Sequence, residues 1–296
     1  MAEFALCLTH DVDRPYKSYQ SIADALVERD PSRLADLSPQ VNPYWQFDSL
    51  MELEDELGVR SAFYFLSERG LRNRSLRKWL RPRYWIEHLG RYDVSAPRMA
   101  RVIEELDAGG WEVGLHGSYD SDDDPERLAT EKKIVEQVLG HPVKGGRQHF
   151  LNRVPATWDH HRTIGLSYDS SLGSSTDYGF VHGYDPIHPF GDEFTVFPLT
   201  LMEVALFEQH DDLESAWDAC ERLLTEAAAN DAVMTVLWHP RYLSDDFPGY
   251  RTLYRRLIER ALELDAWIGP PAECYGRLVE EGDDIAELDA AANAAD

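Results

Sequence analysis

Positive charge is scarce in this 296-residue chain. Twenty-nine Lys and Arg face fifty-four Asp and Glu, for a net charge of −25. Only Lys17, Lys78, Lys132, Lys133 and Lys144 are lysines; the other cations are arginines. So acidic a surface repels phosphate backbones and anionic lipid, which argues against nucleic acid or a membrane surface as partner. The same balance suits a halophilic protein, because multimolar salt shortens the screening length to about 3 Å or less and self-repulsion then costs little. Cysteine is scarce too. Cys7, Cys220 and Cys274 are odd in number and scattered, which reads as reduced, buried thiols of a cytoplasmic protein rather than a disulfide framework. Long apolar runs are missing: no stretch approaches the ~20 residues of a membrane span. The opening MAEFALCLTHDVD has no basic n-region, and its apolar run is too short for a signal h-region. With no strict repeat or low-complexity linker, one domain over 1–280 is expected. The acidic, Ala-rich tail 281–296 is expected to be disordered.

What is present is an alternation of strand and helix signals. Short apolar runs at Phe4–Leu8, Ser61–Leu66, Trp111–Leu115, Val143–Arg147, Gly165–Tyr168, Phe194–Pro198, Ala232–Trp238 and Ala266–Ile268 suit a parallel sheet covered on both faces. Between them, Pro97–Ala108 places Met99, Val102, Ile103 and Leu106 on one stripe, with Ser95 as a candidate cap and Gly109-Gly110 as the stop. Asp124-Pro125 opens another helix that Gly140 ends. Leu213–Ala229 and Tyr250–Leu264 repeat the helical pattern. The alternation predicts an α/β fold, a barrel or a doubly wound sheet. Arg14–Tyr44 and Ser67–Val94 fit no repeat and read as loops over an active-site face.

The chemistry gathers at predicted strand ends. In Thr9-His10-Asp11-Val12-Asp13, strand alternation turns Asp11 and Asp13 the same way. Two carboxylates at the end of an apolar strand call for a cation or an arginine. His116-Gly117-Ser118-Tyr119-Asp120 follows the strand at Trp111–Leu115, and its imidazole suits Zn, Co, Ni or Fe. His239 follows Ala232–Leu237, and its titration range suits proton transfer. Arg147, in Gly146-Arg147-Gln148-His149, is placed to pair a carboxylate and hold it ionised. A barrel gathers all four ends on one face.

In this order the motifs THDVD, HGSYD, GRQHF and LWH resemble those of the polysaccharide deacetylase family, carbohydrate esterase family four, in its cytoplasmic-type branch. The similarity runs from about Phe4 to Ile268. It implies a distorted (β/α)7–8 TIM-like barrel and a metal-dependent hydrolase removing N-acetyl groups from an amino sugar or glycan precursor. It implies Asp11 as general base, Arg147 orienting it and His239 as general acid. Asp13 and His116 become ligands of a divalent metal, Zn first among Zn, Co, Ni and Fe. The family's second metal histidine is replaced by Asp120, which remains a possible zinc ligand; His149, where the family usually has proline, is the other candidate. His149, Phe150 and Tyr119 are expected to meet the substrate, and a backbone N–H near Gln148 or His149 to help hold the oxyanion. Two other readings stay open: a hydrolase of another C–N bond, such as a cyclic ureide, and a carbohydrate-binding barrel with a weakened site.

Overall fold

The computed structural model describes residues 4–280. The expected disorder of 281–296 therefore lies outside the described residues. The chain begins with strand β1 (Ala5–Val12) and helices α1 (Tyr19–Val27) and α2 (Phe47–Leu57). Strand β2 (Ala62–Leu66) leads to α3 (Pro82–Gly90) and α4 (Pro97–Ala108). Then come β3 (Glu112–Gly117), α5 (Pro125–Leu139), β4 (Gly145–Gln148), α6 (Thr157–Thr163), β5 (Tyr168–Asp169), β6 (Thr195–Val196) and β7 (Leu199–Met202). The remainder is α7 (Glu203–Gln209), α8 (Leu213–Ala229), β8 (Val233–Leu237), α9 (Tyr250–Glu263) and β9 (Trp267–Gly269).

The ladders between these strands are parallel, in the order β6-β5-β4-β3-β2-β1-β8-β7, with β9 also on β1. Helices cover the outside, so the architecture is a distorted (β/α)7–8 barrel with one open seam. The seam has a local cause. The expected strand Phe194–Pro198 is a strand only at Thr195–Val196, and the chain passes through Phe197-Pro198 to β7, which lies beyond the expected range. Proline has no N–H to continue a ladder. Leu199 N instead bonds the Leu172 carbonyl at 2.7 Å, and β7 pairs with β8 on the other side of the gap.

Strand alternation sorts the side chains. Leu6, Leu8 and Val12 of β1 join the main core under the helices, whereas Cys7 joins Ala62, Tyr64, Tyr168 and Phe197 in a separate inner cluster. By the same parity Thr9 and Asp11 face inward. His10 faces outward, and its Nε2 meets Glu54 of α2 at 3.0 Å. Glu54 also accepts from Ser61, Trp111 and Tyr254, so this buried carboxylate is fully partnered and fixes α2 to the sheet.

The outer stripes are as the periodicity predicts. Met99, Val102, Ile103 and Leu106 of α4 are buried, each such side chain contributing about 1.5–3 kcal/mol on burial. Asp124 caps α5 by accepting from Arg127 N at 3.0 Å, and Gly140 ends it at φ 89, the left-handed conformation glycine adopts without strain. Ser95 is not a cap. Ala96 holds the N-cap position of α4, and Ser95 N donates to Asp93. The two stretches expected as loops hold structure of their own: α1 and a 3-10 turn at Pro31–Leu37 in the first, α3 in the second. All three cysteines are buried and free. Among the described residues no helix is long and apolar enough to cross a membrane.

Candidate active site

Arg147 is the hub. It lies on β4, fully buried, and reaches across the barrel to β1. One terminal nitrogen donates to Asp11 Oδ1 at 2.8 Å and to Thr9 Oγ1 at 2.9 Å. Its Nε and other terminal nitrogen donate to the Ser170 carbonyl (2.7 Å) and hydroxyl (2.9 Å). A guanidinium held on both edges cannot swing away, so Asp11 has a fixed cationic partner. Burial alone pushes the Asp11 carboxyl up, but Arg147, followed by His116 and His239, outweighs it and holds the carboxyl below its ordinary range.

His116 ends β3 on the same inner face. Its Nδ1 meets the Arg147 carbonyl at 2.9 Å, and Asp11 Oδ2 lies 3.7 Å from its Nε2. Burial pushes its pKa down to about 4, against the pull of Asp11. His149 follows β4. Its Nε2 meets Glu87 Oε2 of α3 at 3.2 Å, and its Nδ1 faces His116 Nε2 at 3.1 Å. A carbonyl can only accept, so His116 carries its proton on Nδ1; Glu87 likewise fixes the His149 proton on Nε2. Two bare imidazole nitrogens are left facing each other at 3.1 Å. Lone pairs so placed repel unless a cation stands between them. The donor chemistry of the two facing nitrogens fits a divalent metal ion. Each ring has the outer acceptor that metal-bound imidazoles characteristically have.

Asp13 lines the same cavity. Burial raises its carboxyl, but Arg241, and after it His239, His149 and Arg14, drive it far below the ordinary carboxylate range. Asp13 Oδ1 is ion-paired with Arg241. Asp120 is not brought to His116. Its carboxylate is taken by Arg74, by Lys78 at 2.6 Å and by Tyr84 OH at 3.0 Å. This corrects the expectation of Asp120 as a ligand: the neighbouring loop Ser67–Val94 supplies cations that satisfy it. The donor set that fits a cation is His116 and His149 with a carboxylate of Asp11 or Asp13. Among the described residues no three His, Cys, Asp or Glu side chains already stand as a closed ligand set.

A cavity of about 280 Å³ opens beside these groups. Asp11, Asp13, His149, Phe150, His239 and Arg241 all line it. His239 Nδ1 meets Glu203 Oε1 of α7 at 2.5 Å, so Nδ1 holds a proton and Nε2 is the atom available for transfer. Phe150 is 48% exposed. Phe150 and Leu151 both have left-handed backbones, at φ 58 and 55, a strain that persists where surrounding structure enforces it. Tyr119 stands behind Phe150, edge-on at 5.8 Å, and Arg83 lies over both rings. Tyr119 is not part of the cavity lining. Gln148 N donates to Ser171 Oγ at 2.8 Å, so of the two expected oxyanion donors only the His149 side of the turn is left.

Sequence reasoning missed Glu203, Glu87 and Arg241. Arg241 had a readable signal, since it stands two residues after His239 in Leu237-Trp238-His239-Pro240-Arg241. Glu87 and Glu203 had none, because each lies on a helix remote in sequence from its histidine.

No protein-family model matches the chain, and no curated protein matches it by sequence. Solved structures do match. A candidate polysaccharide deacetylase from Mycobacterium smegmatis is 15% identical, with 95% of this chain and 92% of that chain covered and a TM-score of 0.63. A second, from Pseudomonas aeruginosa PAO1, is 16% identical, with 93% and 90% covered and a TM-score of 0.59. A 4-alpha-glucanotransferase from Thermococcus litoralis is 13% identical, with 91% of this chain but 37% of that chain covered, and a TM-score of 0.51. The likeness at these identities is one of fold. The chain has the barrel of the polysaccharide deacetylases.

Proposed function

We propose that the chain is a metal-assisted hydrolase that removes an N-acetyl group from an amino sugar or glycan precursor. The observation that carries this reading is Asp11, held ionised by Arg147 at 2.8 Å on the wall of a cavity that His149 and His239 also line.

A divalent ion held by His116, His149 and Asp13 would acidify a water and polarise the acetyl carbonyl. The chain's own residues do the rest. Arg147 ties up Asp11 Oδ1, so Oδ2 is the oxygen left to take a proton from the attacking water. The water oxygen adds to the acyl carbon as the carbonyl π electrons move to the carbonyl oxygen, and when the carbonyl re-forms the C–N bond breaks. His239 gives a proton from Nε2 to the departing amine, and Glu203 on Nδ1 supports its positive charge beforehand. Phe150 presents an exposed ring on which a sugar face can rest.

The test is acetate release from N-acetylated oligosaccharides and nucleotide sugars, with Zn or Co added, beside a panel of cyclic ureides. Acetate appearing in step with free amine supports the reading. A folded, metal-loaded protein that turns over no N-acetyl substrate sinks it, and turnover of a ureide alone would move the assignment to that C–N bond.

Arg241 favours a second reading. Its guanidinium already neutralises Asp13, which suits a carbohydrate-binding barrel that no longer loads metal. Less than about a tenth of an ion per chain after repletion would favour it.

A further inference from the structure

The cavity of about 820 Å³ that the fold leaves between the loop after β2, the end of α3 and the approach to α4 is not the catalytic one. Arg69, Arg72, His88 and Arg91 line it. Its floor is a buried ion network. Glu68 pairs with Arg74 and with Arg127 at 3.0 Å and accepts Tyr119 N at 3.0 Å, and Arg127 also holds Glu131 at 2.7 Å. These arginines are neutralised. Arg69, Arg72 and Arg91 are not: among the described residues none of the three forms an ion pair with a carboxylate. Arg91 instead donates to its neighbour His88, at Nδ1 (2.5 Å) and at the carbonyl (2.8 Å). Three carboxylates share the lining: Glu68 and Glu131, both held in the ion network, and Asp93, which accepts Ser95 N.

Other arginines of the chain also lack a carboxylate partner; what sets these three apart is that they line one cleft. Three left bare around one cleft repel each other, and a bound anion would offset that repulsion. We propose that this cleft is a second binding site, for a phosphate or pyrophosphate group. Guanidinium forks match phosphate oxygens, and several forks on one cleft favour a multiply charged anion over a single carboxylate. His88, whose proton affinity is lowered by burial and then by Arg91 and Arg72, adds a neutral ring that hydrogen-bonds without further repulsion. The volume leaves room for an organic remainder beyond the phosphate. Helix α3 presents Glu87 to His149 and His88 to this cleft on consecutive residues, so the cleft adjoins the catalytic site across one helix.

The experiment is calorimetric titration of the full chain with inorganic phosphate, inorganic pyrophosphate and a nucleoside diphosphate, in the salt that keeps it folded. One pyrophosphate should bind per chain. The double variant Arg72→Ser, Arg91→Ser should weaken it by roughly tenfold or more. Arg98→Ser, whose guanidinium stacks on Trp45 elsewhere, should leave it unchanged. If the serine variant misfolds, Arg72→Lys with Arg91→Lys keeps the charge, loses the fork and should still bind more weakly than the parent. Nucleoside diphosphate binding tighter than pyrophosphate would make the natural ligand an organic diphosphate; equal binding would make it the free anion. Absence of pyrophosphate binding, or equal binding by parent and both double variants, overturns the proposal. None of these readouts depends on acetate release, so this site and the catalytic reading fail separately.

Discussion

Arg147 on β4 and Asp11 on β1 are joined across the barrel at 2.8 Å, although 136 residues separate them in the chain. The pair is buried, so removing one partner strands the other charge. Arg147→Met should destabilise the chain by about 3–5 kcal/mol, and adding Asp11→Leu should recover most of that. Urea denaturation of the parent, single and double variants checks it. A loss below about 1 kcal/mol for Arg147→Met would place the pair among ordinary surface bridges.

The facing nitrogens of His116 and His149 predict where a metal goes. His149→Ala should lower zinc stoichiometry toward zero. Glu87→Gln, which loosens the ring without removing the ligand, should weaken zinc by roughly 10–100-fold. Equilibrium dialysis with zinc measures both. Anomalous scattering at the zinc edge should place the ion between His116 Nε2 and His149 Nδ1.

Asp120 gives the converse prediction. Its carboxylate serves Arg74, Lys78 and Tyr84, so Asp120→Asn should leave zinc stoichiometry unchanged. The stability loss should be about 1 kcal/mol, because Arg74 keeps Glu68. Loss of zinc in this variant would return Asp120 to the ligand set.

His116 sets a pH dependence. Its folded pKa is about 4, below the ordinary value near 6.5. The unfolded chain then binds the extra proton first as pH falls, so His116 costs stability progressively between about pH 6.5 and 4. His116→Gln removes this cost. In metal-free protein, the stability of the parent relative to His116→Gln should fall by roughly 2–3 kcal/mol from pH 7 to pH 4. Thermal melts across that range test it, and a constant difference would show that the ring is not held neutral by burial.

Much of this site was legible before the fold was known, because strand alternation acts locally. Parity puts Asp11 and Asp13 on one side of their strand, the resemblance names Arg147 as the partner of Asp11, and those two side chains do meet. His10 in the same motif is turned outward by that parity and is bound to Glu54. What could not be read were contacts made by helices. Glu87 and Glu203 reach their histidines from α3 and α7, and nothing in an amphipathic stripe marks which polar residue turns inward. Asp120 misled for the same reason: Arg74, Lys78 and Tyr84, which satisfy it, come from a segment whose sequence pattern reads as loop. The seam was not legible either, because β7 at Leu199–Met202 lies just past the apolar run Phe194–Pro198 that reads as a single strand.

The most direct measurement compares acetate release by the parent and by Asp11→Asn, on the same N-acetylated oligosaccharide and at matched metal content. The account predicts that metal content is retained and that the rate falls by about 10²–10⁴-fold, as expected for loss of a general base. An Asp11→Asn protein that releases acetate at the parent's rate would contradict it.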